Sequence, residues 1–133
     1  MYLFINQTGK IIKMEDLEVL KRSMKMGESV WNIVKTWGYF EKDTIGKQFT
    51  RSVDSVAANI AEGYGRYHYR ESKHFYYYSR GSLYESKIWL IKANNRGLVN
   101  ETDFKMLSDE MNTIGIKLNK YINTIGKNKT TQN

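Results

Sequence analysis

The only histidines, His68 and His74, stand six residues apart, and cysteine is absent. Two imidazoles reach one metal from a helix when they sit four apart, so this spacing offers no metal site, and no thiolate is available as ligand or nucleophile. The serines around His74 form no nucleophile–base–orienter pattern. Glu62, Glu71 and Glu85 could serve as general acid and base. Three arginines in the middle of the chain, Arg51, Arg66 and Arg80, offer them the commoner role of ion-pair partners between helices. "EGYGR" places its glycines after an apolar helical pattern, whereas a phosphate loop precedes a helix. These residues argue for a non-enzymatic protein with no metal and no cofactor.

One chemistry remains. Residues 63–80, "GYGRYHYRESKHFYYYSR", interleave Arg66, Arg70, Lys73 and Arg80 with seven aromatic side chains, Tyr67 and Tyr69 among them. Cationic side chains hold phosphates and exposed tyrosines stack on unpaired bases, which suits RNA or single-stranded DNA. The same tyrosines would equally suit packing against neighbouring helices or subunits with the hydroxyl outward. The net charge of +7 only partly helps, because Lys10, Lys13, Lys127 and Lys129 in the terminal segments carry four of the seven charges. Residues 60–87 contribute two more.

These groups must be positioned by helices. Proline is absent, so no residue forces a break. Leu17, Leu20, Met24, Gly27, Trp31 and Val34 step by three and four, predicting a helix over about 15–37 that stops at Gly38. Ile45, Phe49, Val53, Val56 and Ile60 predict a second helix, with Asp43 as N-cap and Gly63 as a left-handed terminator. Arg51, Ser55, Asn59 and Glu62 form a polar stripe along one flank of it, and Ala57, Ala58 and Ala61 a small-residue flank on the other. A third helix runs from near Arg70 to Gly97, its expected stripe Phe75, Ser79, Ser82, Ser86, Trp89 and Ala93, with Gly81 suited to close packing. The fourth follows Phe104, Leu107, Met111, Ile114, Leu118, Tyr121 and Ile125, capped by Asn100. Short connections make sequential helices antiparallel, so the fold class is all-α, an antiparallel up-down-up-down four-helix bundle. The expected organisation is an extension over 1–13, a bundle over 14–126 with Met14 as a candidate start, and a basic polar tail over 127–133. The apolar run at Met1–Ile5 is too short for a signal peptide or a span, so a soluble, cytoplasmic, non-membrane protein is expected.

"RSVDSVAANIAEGYGR" followed by "RESKHFYYYSRGSLYESKIWL" resembles the signature of the small bacterial proteins encoded by intervening sequences of 23S rRNA genes, a ribosomal protein-like family. The resemblance covers about residues 14–126, and its signature positions are Arg51, Asn59, Glu62, Gly63, Arg66, Gly81, Ser82 and Glu85. It implies a four-helix bundle that assembles as a homopentamer, with a proposed role in nucleic-acid binding. Where the family pattern usually carries a proline ahead of "NIAEG", this chain has Ala57 and Ala58. The reading is a non-enzymatic, oligomeric nucleic-acid-binding protein, RNA foremost, through Arg66, Arg70, Lys73, Arg80, Tyr67 and Tyr69. Its rival is an oligomeric scaffold that binds a protein partner. Ser82 and Glu85 are expected to join Asn59, Glu62 and Arg66 in one network at the joint between the second and third helices.

Overall fold

The structure is a computed structural model that describes residues 3–5, 9, 11–13, 17–66 and 68–125. Tyr67, Met14, Lys10 and the tail with Lys127 and Lys129 lie outside them. Within the N-terminal extension, β1 (Leu3–Ile5) pairs antiparallel with β2 (Ile11–Lys13), in register Leu3 to Lys13. The bundle follows as α1 (Glu18–Val34), a short α2 (Tyr39–Glu41), α3 (Lys47–Tyr64), α4 (Tyr69–Asn95) and α5 (Glu101–Thr124).

Residue pairs across the interfaces give the directions. Gly27 of α1 meets Asp54, and Gly46 at the foot of α3 meets Val34. Ser86 of α4 bonds Ser52, while Ser79 bonds the Val56 carbonyl. Arg80 reaches Asn119 of α5, and Arg22 of α1 reaches Glu110. In every pair one partner ascends as the other descends, which is the up-down-up-down arrangement. The core runs through Phe49, Val53, Val56 and Ile60 of α3 and Leu107, Met111, Ile114 and Leu118 of α5, all fully buried. Asn100 caps α5, its side chain accepting from the Asp103 amide at 2.7 Å, as its place before Glu101 and Asp103 led one to expect.

Several local expectations change. Asp43 is no N-cap: the helical backbone begins at Tyr39, after extended Gly38, and passes through a π-helical turn (Lys42–Gly46) into α3. Gly38 accordingly starts this helix, and α1 ends earlier, at Val34. Gly63 is not left-handed, since among the described residues only Gly9 and Gly97 have positive φ. It is needed because α4 comes too close for a side chain: a Cβ there would lie 2.6 Å from Tyr76 Cε1 and 3.0 Å from the Ser72 carbonyl. Gly81, expected to permit close packing, has nothing within 4 Å of where its Cβ would be. In α1 the buried ladder runs through Ser23, Met26 and Val30, which leaves Met24 and Trp31 exposed. In α4 it runs through Ser72, Tyr76, Ser79, Leu83, Ser86, Leu90 and Ala93, with Phe75, Ser82 and Trp89 half-buried. Small serines at this interface let α3 and α4 approach closely, and each buried hydroxyl finds an acceptor.

Candidate nucleic-acid interface

The joint between α3 and α4 gathers the side chains on which the sequence placed its chemistry. Glu62, two residues before the end of α3, accepts from Arg66 Nη2 at 2.7 Å. The guanidinium also lies 4.6 Å over the Phe75 ring, and Phe75 meets Tyr78 edge-on at 5.7 Å. Arg66 Nε is buried and has no hydrogen-bond partner. Arg66 is thus a clamp between α3 and α4, with its remaining donors at the half-exposed rim. Beneath it Tyr76 is fully buried against Tyr121, hydroxyl to hydroxyl at 3.4 Å. Burial pushes the Tyr76 phenol well above its ordinary pKa and raises that of Tyr121.

Glu85 and Ser82 do not join that cluster. Because α4 runs antiparallel to α3, Glu85 lies near the opposite end of α3, where it pairs with Arg51 and accepts from Trp89 Nε1 at 3.0 Å. Ser82 offers its carbonyl to Ser86, and Asn59 donates to the Ser55 carbonyl. The signature residues therefore form two separate fastenings of the α3–α4 pair, one at each end.

The remaining cations lie along α4. Arg70 is exposed, Lys73 half-buried, and Arg80 donates to Asn119 Oδ1 at 3.0 Å while sitting 5.1 Å over the Tyr77 ring. Tyr69 opens the helix, and Tyr77 and Tyr78 are exposed. His68 immediately precedes α4 and His74 is exposed. Among the described residues no group of three or more His, Cys, Asp or Glu is placed to hold a metal ion. No helix among them is long and apolar enough to cross a membrane.

One feature escaped the sequence reading. Opposite the buried ladder of α4 runs a second one: Arg70, Lys73, Tyr77, Gly81, Tyr84, Ile88 and Ile91. At 100° per residue these share a single outward face. Its N-terminal half is cationic and aromatic. Its C-terminal half is apolar, with Tyr84 54%, Ile88 52% and Ile91 47% exposed. In the sequence it stands as a second three-four spacing beside that of the first ladder.

The topology adds a further alignment. Leu17 starts α1 and Ile125 ends α5 at the end of the bundle that carries the α3–α4 joint, as the neighbouring pairs Glu18–Lys117 and Tyr76–Tyr121 require. The lysine-bearing terminal segments therefore attach at the same end as Arg66 and Arg70.

A family model described as 23S rRNA-intervening sequence protein matches residues 15–120. The crystal structure of a protein with unknown function from the S23 ribosomal protein family of Bacteroides thetaiotaomicron VPI-5482 has the same fold. The two are 19% identical with a TM-score of 0.72, over 80% of this chain and 99% of that one. No curated protein matches the chain significantly.

Proposed function

Since the chain belongs to the 23S rRNA-intervening sequence protein family, we propose that it is a non-enzymatic, oligomeric nucleic-acid-binding protein, with RNA as its principal ligand, acting in the bacterial cytoplasm. The observation that carries this reading is the division of the outer face of α4 into a cationic-aromatic half and an apolar half. Residues 14–126 are the assembling unit, and the segments 1–13 and 127–133 are basic appendages.

The apolar half, Tyr84, Ile88 and Ile91, meets other copies. A contiguous exposed apolar row along a well-packed helix is expensive to leave in water and marks an association surface. The homopentamer implied by the resemblance is the assembly we assign to it. The cationic half then recurs around the ring. Arg70 and Lys73 supply the phosphate contacts, and Tyr77 and Tyr78, together with Tyr67 and Tyr69 of the same stretch of sequence, supply stacking surfaces for unpaired bases. Arg66 and Arg80 also bond within the protein, Arg66 to Glu62 and Phe75 and Arg80 to Asn119 and Tyr77. Repetition turns weak single sites into useful avidity.

The test is fluorescence anisotropy of the full chain with a labelled single-stranded RNA and the matching DNA at two salt concentrations. Binding that weakens steeply with salt, favours RNA, and falls at least about tenfold in Arg70→Glu/Lys73→Glu supports the reading. Undiminished binding by that variant refutes the placement of the site, and failure of the parent chain to bind either nucleic acid refutes the function.

A further inference from the structure

Away from the face of α4, the seam between α1 and α5 is the loosest contact between adjacent helices of the bundle, and it opens as a groove of about 540 Å³. Its floor is apolar, made by buried Met26 and Leu107, and half-exposed Met106 stands on the α5 wall. Methionine side chains adapt to irregular apolar ligands better than branched ones.

The groove's charges decide what it fits. It holds two carboxylates, and both are already neutralised. Glu110 takes a two-pronged contact from Arg22 Nη1, at 2.9 and 3.0 Å. Glu18 pairs with Lys117 at 3.1 Å and more loosely with Arg22 at 3.4 Å. These pairs hold the Glu18 carboxyl below its usual pKa and raise that of Arg22, so both stay ionised at neutral pH. Lys21 and Lys25 are different. They lie one turn apart on the α1 rim, are exposed, and have no ion pair among the described residues. The groove thus offers an apolar floor with two uncompensated ammonium groups along one edge.

We infer that this groove seats an acidic amphipathic helix of a partner protein, its apolar side chains over Met26, Met106 and Leu107 and its carboxylates, one turn apart, on Lys21 and Lys25. Two antiparallel helices leave between them a channel that a further helix fills by ordinary ridge-and-groove packing. Carboxylates spaced i, i+4 on such a helix match the spacing of the two lysines. Nucleic acid fits less well, because no aromatic ring lines the groove to stack on a base and Glu18 and Glu110 would face its phosphates. This site is independent of the α4 face and would make the protein a bridge between a nucleic acid and a protein.

The probe is a fluorescein-labelled synthetic helix of about five turns, leucine along one face and glutamate pairs at i, i+4 beside it. Anisotropy with the full chain should show saturable, micromolar binding that weakens with salt. Lys21→Glu/Lys25→Glu should weaken it by about tenfold or more, as should replacing the peptide's glutamates by glutamine. Met106→Asp, on the opposite wall, should act in the same direction; all three protein substitutions are at exposed positions, and circular dichroism confirms that each variant is folded. The inference is overturned if the peptide does not saturate, or if both variants bind it as the parent does. It is equally overturned if Lys21→Glu/Lys25→Glu leaves peptide binding intact while lowering the mass of the oligomer or abolishing RNA binding, which would assign the groove to a second copy or to nucleic acid.

Discussion

Replacing Gly63 by alanine sets two well-characterised effects against each other. In a helix interior the added methyl favours folding by about 1 kcal/mol. At this position it would enter space already held by α4, 2.6 Å from Tyr76 Cε1 and 3.0 Å from both Tyr76 Cδ1 and the Ser72 carbonyl oxygen. Non-bonded carbons settle near 3.5–4.0 Å, so the two helices must separate by roughly 1 Å. Tyr76 has no room to yield, because it is fully buried with its ring 5.1 Å from that of Tyr121, and the Ser72 carbonyl moves only with the backbone of α4. Overpacking of this kind costs about 1–3 kcal/mol, and the involvement of backbone puts Gly63 towards the upper part of that range. The net expectation is a loss of about 1–2 kcal/mol, seen as a melting temperature lowered by roughly 3–10 °C. Gly65→Ala is the internal control. Its new methyl would meet nothing closer than 3.6 Å and the backbone is right-handed, so it should be neutral or stabilising by up to about 1 kcal/mol. Thermal unfolding followed by circular dichroism distinguishes the two. If Gly63→Ala is as stable as Gly65→Ala, close approach of α4 is not the reason for glycine at 63.

Two further perturbations probe other joints. The Asp54 carboxyl, beside Gly27, has its pKa raised by burial and secondarily by Glu28. It binds its proton more tightly in the folded than in the unfolded chain, so the parent loses stability as pH rises from the unfolded carboxylate value through the raised one. Asp54→Asn should therefore stabilise at neutral pH by under about 1 kcal/mol, since the group is largely exposed, and the gain should vanish in acid; denaturant melts at both pH values measure it. Asn100→Ala removes the cap of α5 and should cost about 1 kcal/mol, whereas Asn100→Asp, which can still accept from the Asp103 amide, should cost much less by the same melts.

The sequence carried the fold well where one periodicity had one explanation. Phe49, Val53, Val56 and Ile60, and likewise Leu107, Met111, Ile114 and Leu118, are the regular apolar rows of their helices and every one is buried, so their ladders placed the core directly. In α1 the ladder through Met24 and Trp31 runs beside another through Met26 and Val30. Both are apolar, and only packing against α3 and α5 selects the second. α4 carries two ladders on opposite faces, one packed into its own bundle and one turned outward and apolar only in its C-terminal half, and a single stripe could not describe it. Gly63 misled for a different reason. Glycine at a helix end serves either a left-handed backbone or the close approach of a neighbour, and sequence does not distinguish them. The Glu62–Arg66 and Arg51–Glu85 pairs belonged to the expected ion-pair vocabulary, but their separation into two fastenings follows from the antiparallel course of α4. The groove depends on Arg22 meeting Glu110, 88 residues away, and no local pattern announces it.

On the proposed reading, assembly through one half of the outer α4 face gives the other half its hold on RNA. Ile88→Asp tests it most directly, because Ile88 is exposed in the folded chain and its substitution should leave the bundle intact while blocking contact between copies. The measurement is sedimentation velocity of the parent and Ile88→Asp, each alone and with a labelled single-stranded RNA at one salt concentration. The expected result is an oligomeric parent that binds RNA and a folded Ile88→Asp monomer whose affinity is lower by at least about tenfold through lost avidity. A variant that keeps the parent's mass, or a monomer that binds RNA as tightly as the parent does, would contradict it.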